Sequence, residues 1–223
     1  PKPQNPLLFK FIIYSNYMSS VQVAVRCRPF NNREKQMNSH LIVEMNEGKT
    51  YLTDPASGKK RDFDFDKSYW SHDGFSTDPT TGYMSPDPGS NYADQDKVFN
   101  DFGIPLLDNA FEGYNVCMFA YGQTGSGKSY SIVGYPGNLG IIPRSCVEIF
   151  RRVNERENNP DNVIKHEITL SMIEIYNEKV QDLLVHPNKR PKDGLKIRQH
   201  PKIGVYVENM VKVPVASYDE IES

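Results

Sequence analysis

The spacing of apolar and polar positions divides the chain into segments of two periods. Residues 21–25 (VQVAV) alternate and are rich in valine, which predicts a strand. Pro29 stops it, because proline brings no N–H to a sheet ladder. Residues 41–52 and 63–69 read as further strands, separated by the turn-rich string DPASG at 54–58. Residues 71–92 are crowded with Gly, Pro, Ser, Thr and Asp and read as a long surface loop. A helix is predicted from Asp94, with Val98, Phe102 and Leu106 on one stripe and Gly113 at its end. Pro105 lies inside that helix and should kink it or divide it in two. Residues 116–121 form a short apolar run, the pattern of a strand buried on both faces. After a turn at 135–138, Cys146, Ile149, Phe150 and Val153 fall at i, i+3, i+4 and i+7, a second helix with a polar tail over 151–159. Ile168, Leu170 and Met172 alternate as in a strand that continues to Tyr176. Ser217 and Glu220 fit a capping box close to the last residue, so a helix is announced and cut short, which reads as truncation.

The candidate chemistry follows the apolar run directly. Residues 115–130 read NVCMFAYGQTGSGKSY, and 122–129 match G-x-x-x-x-G-K-[ST] behind a strand, the context of a phosphate-binding P-loop. Gly122, Gly125 and Gly127 allow backbone conformations closed to other residues. The N–H groups of Gln123, Thr124 and Ser126 can then turn inward with theirs around phosphate oxygens. Lys128 would place a point charge between the β- and γ-phosphates. Ser129 offers a hydroxyl to Mg²⁺ at the start of the next helix, whose positive end faces the phosphates. Arg26 and Arg28 stand two apart at the end of the first strand and point the same way. By themselves, two such arginines are more often a solvated edge than a site.

Composition narrows the field. With 223 residues, 38% of them hydrophobic, and a formal charge of −2, the chain is long enough for a sizeable core. It is neither disordered, fibrous nor membrane-like, and the near-neutral balance gives no support for nucleic acid as a main partner. No apolar stretch approaches the length of a membrane span. The opening string PKPQNPLLFKFIIYS is a poor secretory signal, since Lys10 splits its apolar part; Met18 reads as a possible start, with residues 1–17 as an extension of little function. Cys27, Cys117 and Cys146 lie far apart without metal or disulfide spacing, and two of them sit in apolar runs, which reads as reduced core cysteine in a cytosolic protein. The basic residues Lys189, Arg190, Lys192, Lys196, Arg198 and Lys202 cluster in 187–202, on composition alone a solvated hairpin tip.

Four strings in order, VAVRCRPFNNRE (23–34), AFEGYNVCMFAYGQTGSGKSYS (110–131), GIIPR (140–144) and EIYNEKVQDLL (174–184), resemble the kinesin motor domain. YWSH at 69–72, NYA at 91–93, the GKS ending and the short turn before GIIPR lean toward the kinesin-3 subfamily of vesicle-transport motors. The resemblance implies an α/β fold of the P-loop NTPase type, a three-layer sandwich on a mixed, mostly parallel sheet, incomplete here. It implies ATP and ADP with Mg²⁺ as ligands, tubulin in the microtubule as partner, and a place on the cytoskeleton in the cytoplasm. It divides the chain into an extension at 1–17, outside the motor fold, and a motor domain at 18–223 that stops before the switch I and switch II motifs. Those motifs, N-x-x-S-S-R-S-H and D-L-A-G-x-E, do not occur in the 223 residues. The R-x-R-P match assigns Arg26, Arg28 and Pro29 to the border of the adenine. It gives Tyr130 either a place against the base or a packing role at the helix start. The stretch after EIYNE carries Lys196, Arg198 and Lys202, which would meet the acidic tubulin surface. The loop at 71–92 is longer than the resemblance leads one to expect.

Three functions compete at this point: an ATP-hydrolysing motor, a module that binds nucleotide or tubulin without turnover, and an unrelated P-loop protein. A GTPase would carry N-K-x-D, and the nearest string, NKRP at 188–191, has proline where the aspartate belongs.

Overall fold

The computed structural model describes residues 8–14, 21–46, 48–160 and 164–222. The chain divides into two compact units, 1–146 and 147–223. In chain order the first holds β1 (Leu8–Tyr14), β2 (Gln22–Cys27), α1 (Asn32–Gln36), β3 (Val43–Asn46), β4 (Lys49–Thr53), β5 (Lys60–Asp64), β6 (Lys67–Trp70), β7 (Phe75–Thr77), β8 (Met84–Pro86), α2 (Gln95–Val98), α3 (Ile104–Phe111), β9 (Cys117–Tyr121), α4 (Lys128–Ile132), β10 (Gly134–Tyr135) and β11 (Asn138–Leu139). The boundary between the units falls inside α5 (Ile141–Glu157).

The first unit is built on a four-stranded sheet in the order β6-β2-β1-β9. β2 pairs parallel with β6, while β1 pairs antiparallel with both β2 and β9. Three strands therefore run one way and one runs against them, a mixed sheet with most strands parallel. The backbone of 8–14, expected to lie outside the motor fold, threads the middle of this sheet. β2, rich in β-branched valine, buries Ala24, Val25, Arg26 and Cys27. β9 lies at the sheet edge, where Tyr121 is 73% exposed and Cys117 is open. The reading of 116–121 as buried on both faces is corrected on this point: an apolar run does not tell a central strand from an edge strand.

Two predicted strands are in fact pairs. Residues 41–52 fold into β3 and the start of β4 because Gly48 takes φ +87° and turns the chain. The stretch 63–69 divides between β5 and β6. The β3-β4-β5 sheet is tied to β6 where the buried Thr50 meets Ser68, hydroxyl to hydroxyl at 3.0 Å.

The helix predicted from Asp94 begins as expected, with the Asp94 carboxylate accepting from Lys97 N–H. Phe99–Gly103 then form a π-helical turn before α3, which carries Pro105 in its first turn. Proline has no N–H for the i−4 carbonyl, and the wider turn accommodates this. The extra residue moves the buried stripe: Val98 and Phe102 are buried as predicted, but the next buried position is Leu107 rather than Leu106. Gly113 ends the helix at φ +97°.

The second unit carries β12 (Thr169–Leu170), β13 (Ile173–Tyr176), β14 (Lys179–Asp182), β15 (Ile197–His200), β16 (Gly204–Val207), β17 (Val213–Pro214) and α6 (Tyr218–Glu222). The pairs β13-β14, β15-β16 and β12-β17 are all antiparallel. The predicted strand from 168 to 176 is interrupted between β12 and β13. Asp182 is buried and accepts from the N–H groups of Leu184 (2.9 Å) and Val211 (2.7 Å). The polar tail of α5 is held by Arg151 and Arg152 on Glu148 and by Arg151 on Glu155.

Candidate functional site

β9 runs into the G-x-x-x-x-G-K-S loop without a break. Gly125 and Gly127 take φ +80° and +97°, conformations that strain any side chain. Lys128 lies back across the loop, its Nζ donating to the carbonyls of Gly122 (2.6 Å) and Gln123 (2.9 Å). The ammonium charge thus sits within the loop rather than in solvent. Ser126 Oγ is wholly buried and has no hydrogen-bond partner among the described residues. Thr124 and Ser129 are exposed, the latter in the first turn of α4.

Arg28 connects the strand-end motif to this loop. Its Nε donates to the Gly125 carbonyl at 2.7 Å, and its two other nitrogens grip the Glu34 carboxylate at 2.8 and 2.7 Å. Glu34 is also the third residue of α1 and accepts from the N–H of Asn31, whose side chain accepts from Glu34 N–H in return. Hydrogen bonds from Arg28 hold the Glu34 carboxyl below the usual carboxylate range. Pro29 follows, half-buried.

Arg26, which the resemblance assigns to the adenine border, is turned into the interior. It is 1% exposed, and its guanidinium donates to Ser71 Oγ (2.8 Å), Gln95 Oε1 (2.7 Å), Ser131 Oγ (2.8 Å) and the Ala93 carbonyl (3.0 Å). These acceptors are neutral, and burial lowers its tendency to hold the proton. The group is an internal tie between β2, the start of α2 and α4. It reaches the site through one neighbour, with its central carbon 5.0 Å from the centre of the Tyr130 ring. Sequence reasoning missed Ser71, Gln95 and Ser131 as its partners: Ser71 and Ser131 stand in strings that carry the resemblance, but nothing in those strings assigns them to Arg26. Glu34 was legible as the fourth residue of an N-x-x-E capping string.

Lys196, Arg198 and Lys202 lie on or beside the β15-β16 hairpin, with Lys202 in the turn. Arg198 pairs with Glu208 at 3.2 Å. They belong to the second unit, whereas the P-loop belongs to the first. All three cysteines are free; Cys27 is buried and its thiol is pushed up to about 12 by burial. Among the described residues no helix is long and apolar enough to cross a membrane.

A strand, a glycine-bearing loop and a lysine held within it define an α/β fold of the P-loop type. The chain belongs to the kinesin motor domain family, whose model it matches over residues 26–223. It is 45% identical over 214 residues to kinesin-related protein 1 of Dictyostelium discoideum, a match that covers 91% of this chain and 9% of that protein. It is 44% identical over 208 residues to kinesin-like protein KIF1A of Rattus norvegicus, covering 92% of this chain and 11% of that one. KIF1A agrees with the lean toward kinesin-3. Among solved structures, the KIF14 dimer in its two-heads-bound state, with AMP-PNP in complex with a microtubule, superposes with a TM-score of 0.76 at 37% identity. That match covers 92% of this chain and 52% of the KIF14 chain. The chain thus spans about a tenth of these curated relatives and half of the solved motor.

Proposed function

We propose that these residues bind Mg-ATP and ADP and form the nucleotide-binding part of a kinesin motor that couples ATP hydrolysis to movement along microtubules. The observation that carries this reading is the loop itself. Gly125 and Gly127 take the left-handed conformations with which such a loop turns its backbone around phosphates, the Lys128 ammonium lies against the Gly122 and Gln123 carbonyls, and the buried Ser126 hydroxyl has no partner among the described residues. Such a set of donors suits a chain of phosphates. Ser129 is exposed beside it and would hold Mg²⁺, which neutralises developing phosphate charge when bound. Arg28 fixes the loop from outside by its bond to Gly125, and Pro29 and Tyr130 form the base side. The KIF14 complex with AMP-PNP and a microtubule supports both ligands. Lys196, Arg198 and Lys202 are the residues we assign to the acidic tubulin surface, and the site of action is the cytoskeleton of the cytoplasm.

The test is titration of the 223-residue chain and its Lys128→Ala variant with a fluorescent ATP analogue. Loss of a charge-assisted phosphate contact should weaken binding about ten- to a hundredfold. Equal affinities would refute the reading. The groups that orient water have no counterpart among these residues, and each such group is worth on the order of 10²–10³ in rate. These residues alone should therefore bind nucleotide without tubulin-stimulated phosphate release.

A further inference from the structure

Residues 71–92 are a built element rather than a plain surface loop. β7 and β8 pair Phe75 with Pro86, Ser76 with Ser85 and Thr77 with Met84, and Asp78 closes the turn by accepting from Thr80 and Thr81 N–H. The hairpin is clasped from the base side of the site. Asn138, wholly buried, accepts from Met84 N–H at 3.1 Å and donates to the Gly82 carbonyl at 2.6 Å. The Tyr83 hydroxyl lies against the Asp94 and Asp96 carboxylates, and Asp96 is held in turn by Arg144. Gly137 passes so close that a Cβ there would lie 1.9 Å from the Thr81 carbonyl oxygen.

This clasp delivers one side chain to the base-side tyrosines. Met84 Sδ lies 3.7 Å from the Tyr92 hydroxyl, 3.9 Å from that of Tyr130 and 3.8 Å from that of Tyr135. A thioether is a weak acceptor, and three hydroxyls converge on it. The Tyr130 ring is bounded elsewhere by the Arg26 guanidinium and by the Tyr135 ring, 5.5 Å between centroids. Its backbone is fixed by Gln95, whose Nε2 donates to the Tyr130 carbonyl at 2.7 Å. The sulfur meets the hydroxyl end of this ring beside Tyr92 and Arg26, which also hydrogen-bond with Tyr130, and it is the one of these contacts that the hairpin supplies. We propose that Met84 is a positioning residue for the nucleotide base: its sulfur fixes the angle of the Tyr130 ring, and through it the hairpin sets affinity for the base. This rests on the assignment of Tyr130 to the base side.

The experiment is calorimetric titration of the 223-residue chain with ATP, ADP and tripolyphosphate, which has the phosphates and no base. Sulfur–aromatic and hydroxyl–sulfur contacts correspond to about a three- to tenfold change in affinity. Met84→Ala should weaken ATP and ADP by that factor and leave tripolyphosphate within about twofold. In a Tyr130→Ala background the same substitution should have no further effect, because it acts through the ring. Met84→Leu keeps the volume without the acceptor and should show a smaller loss of the same selectivity; it also serves if the alanine variant folds poorly. Equal weakening of ATP and tripolyphosphate would mark Met84 as merely structural. An undiminished loss in the Tyr130→Ala background, or a leucine variant of full affinity, would also overturn the proposal. If Tyr130→Ala itself leaves ATP affinity unchanged, the base-side assignment fails first. If Lys128→Ala does so, the phosphate reading fails.

Discussion

Arg26 is the residue whose removal tests the architecture of the site most directly. Arg26→Ala takes away four donated hydrogen bonds and leaves Gln95 Oε1, Ser131 Oγ and Ser71 Oγ short of a donor in a region sealed from water, while the Ala93 carbonyl keeps the Ser71 hydroxyl. Hydrogen bonds from a charged donor contribute about 1.5–3 kcal/mol each, against which stands the cost of burying the guanidinium, several kcal/mol. Breaking such a buried network by removing one partner costs about 3–5 kcal/mol net. With a urea dependence of about 2–3 kcal/mol per molar, the midpoint should fall by about 1–2 M. Trp70 is the single tryptophan of the chain and precedes Ser71, so its fluorescence reports the unit in question. Arg26→Lys keeps the charge but cannot serve four acceptors from one ammonium, and should recover less than half of the loss. A midpoint within about 0.3 M of wild type, together with a selective loss of nucleotide affinity, would show that Arg26 acts on the ligand and not as an internal tie.

Two further outcomes follow from the same geometry. Glu34→Ala removes the carboxylate that fixes Arg28 and leaves that guanidinium holding Gly125 without its counter-charge; it should cost about 2–4 kcal/mol and weaken nucleotide binding severalfold, whereas an unchanged affinity would disconnect Arg28 from the loop. Glu148 is held down to about 2, from an ordinary 4.5, by hydrogen bonds from Arg151 and Arg152. A carboxyl depressed in the folded state contributes stability that is full above its unfolded value and is lost as pH falls through the folded one. The advantage of wild type over Glu148→Gln in urea unfolding should therefore be full at pH 6 and narrow below pH 4.5; a gap independent of pH would refute it.

The sequence by itself determined the parts of this protein that depend on neighbours in the chain. The strand before the P-loop, the glycines at 125 and 127, the Asp94 cap and the Gly113 stop are local requirements of backbone geometry, and each stands where its residue type predicts. Pro105 announced a disturbed helix, but not that a π turn would absorb it and pass the buried position from Leu106 to Leu107. Only the tertiary structure decided what Arg26 does, because its four partners lie 45 to 105 residues away and no spacing along the chain joins them to it. Tertiary structure likewise made a hairpin of 71–92, since the side chains that clasp it come from Asn138, Asp94 and Asp96. The place of 8–14 between β2 and β9 is also a matter of pairing across the sheet. Local signals specify φ, ψ and caps; which distant hydrogen-bonding groups meet is settled by packing, which no spacing along the chain encodes.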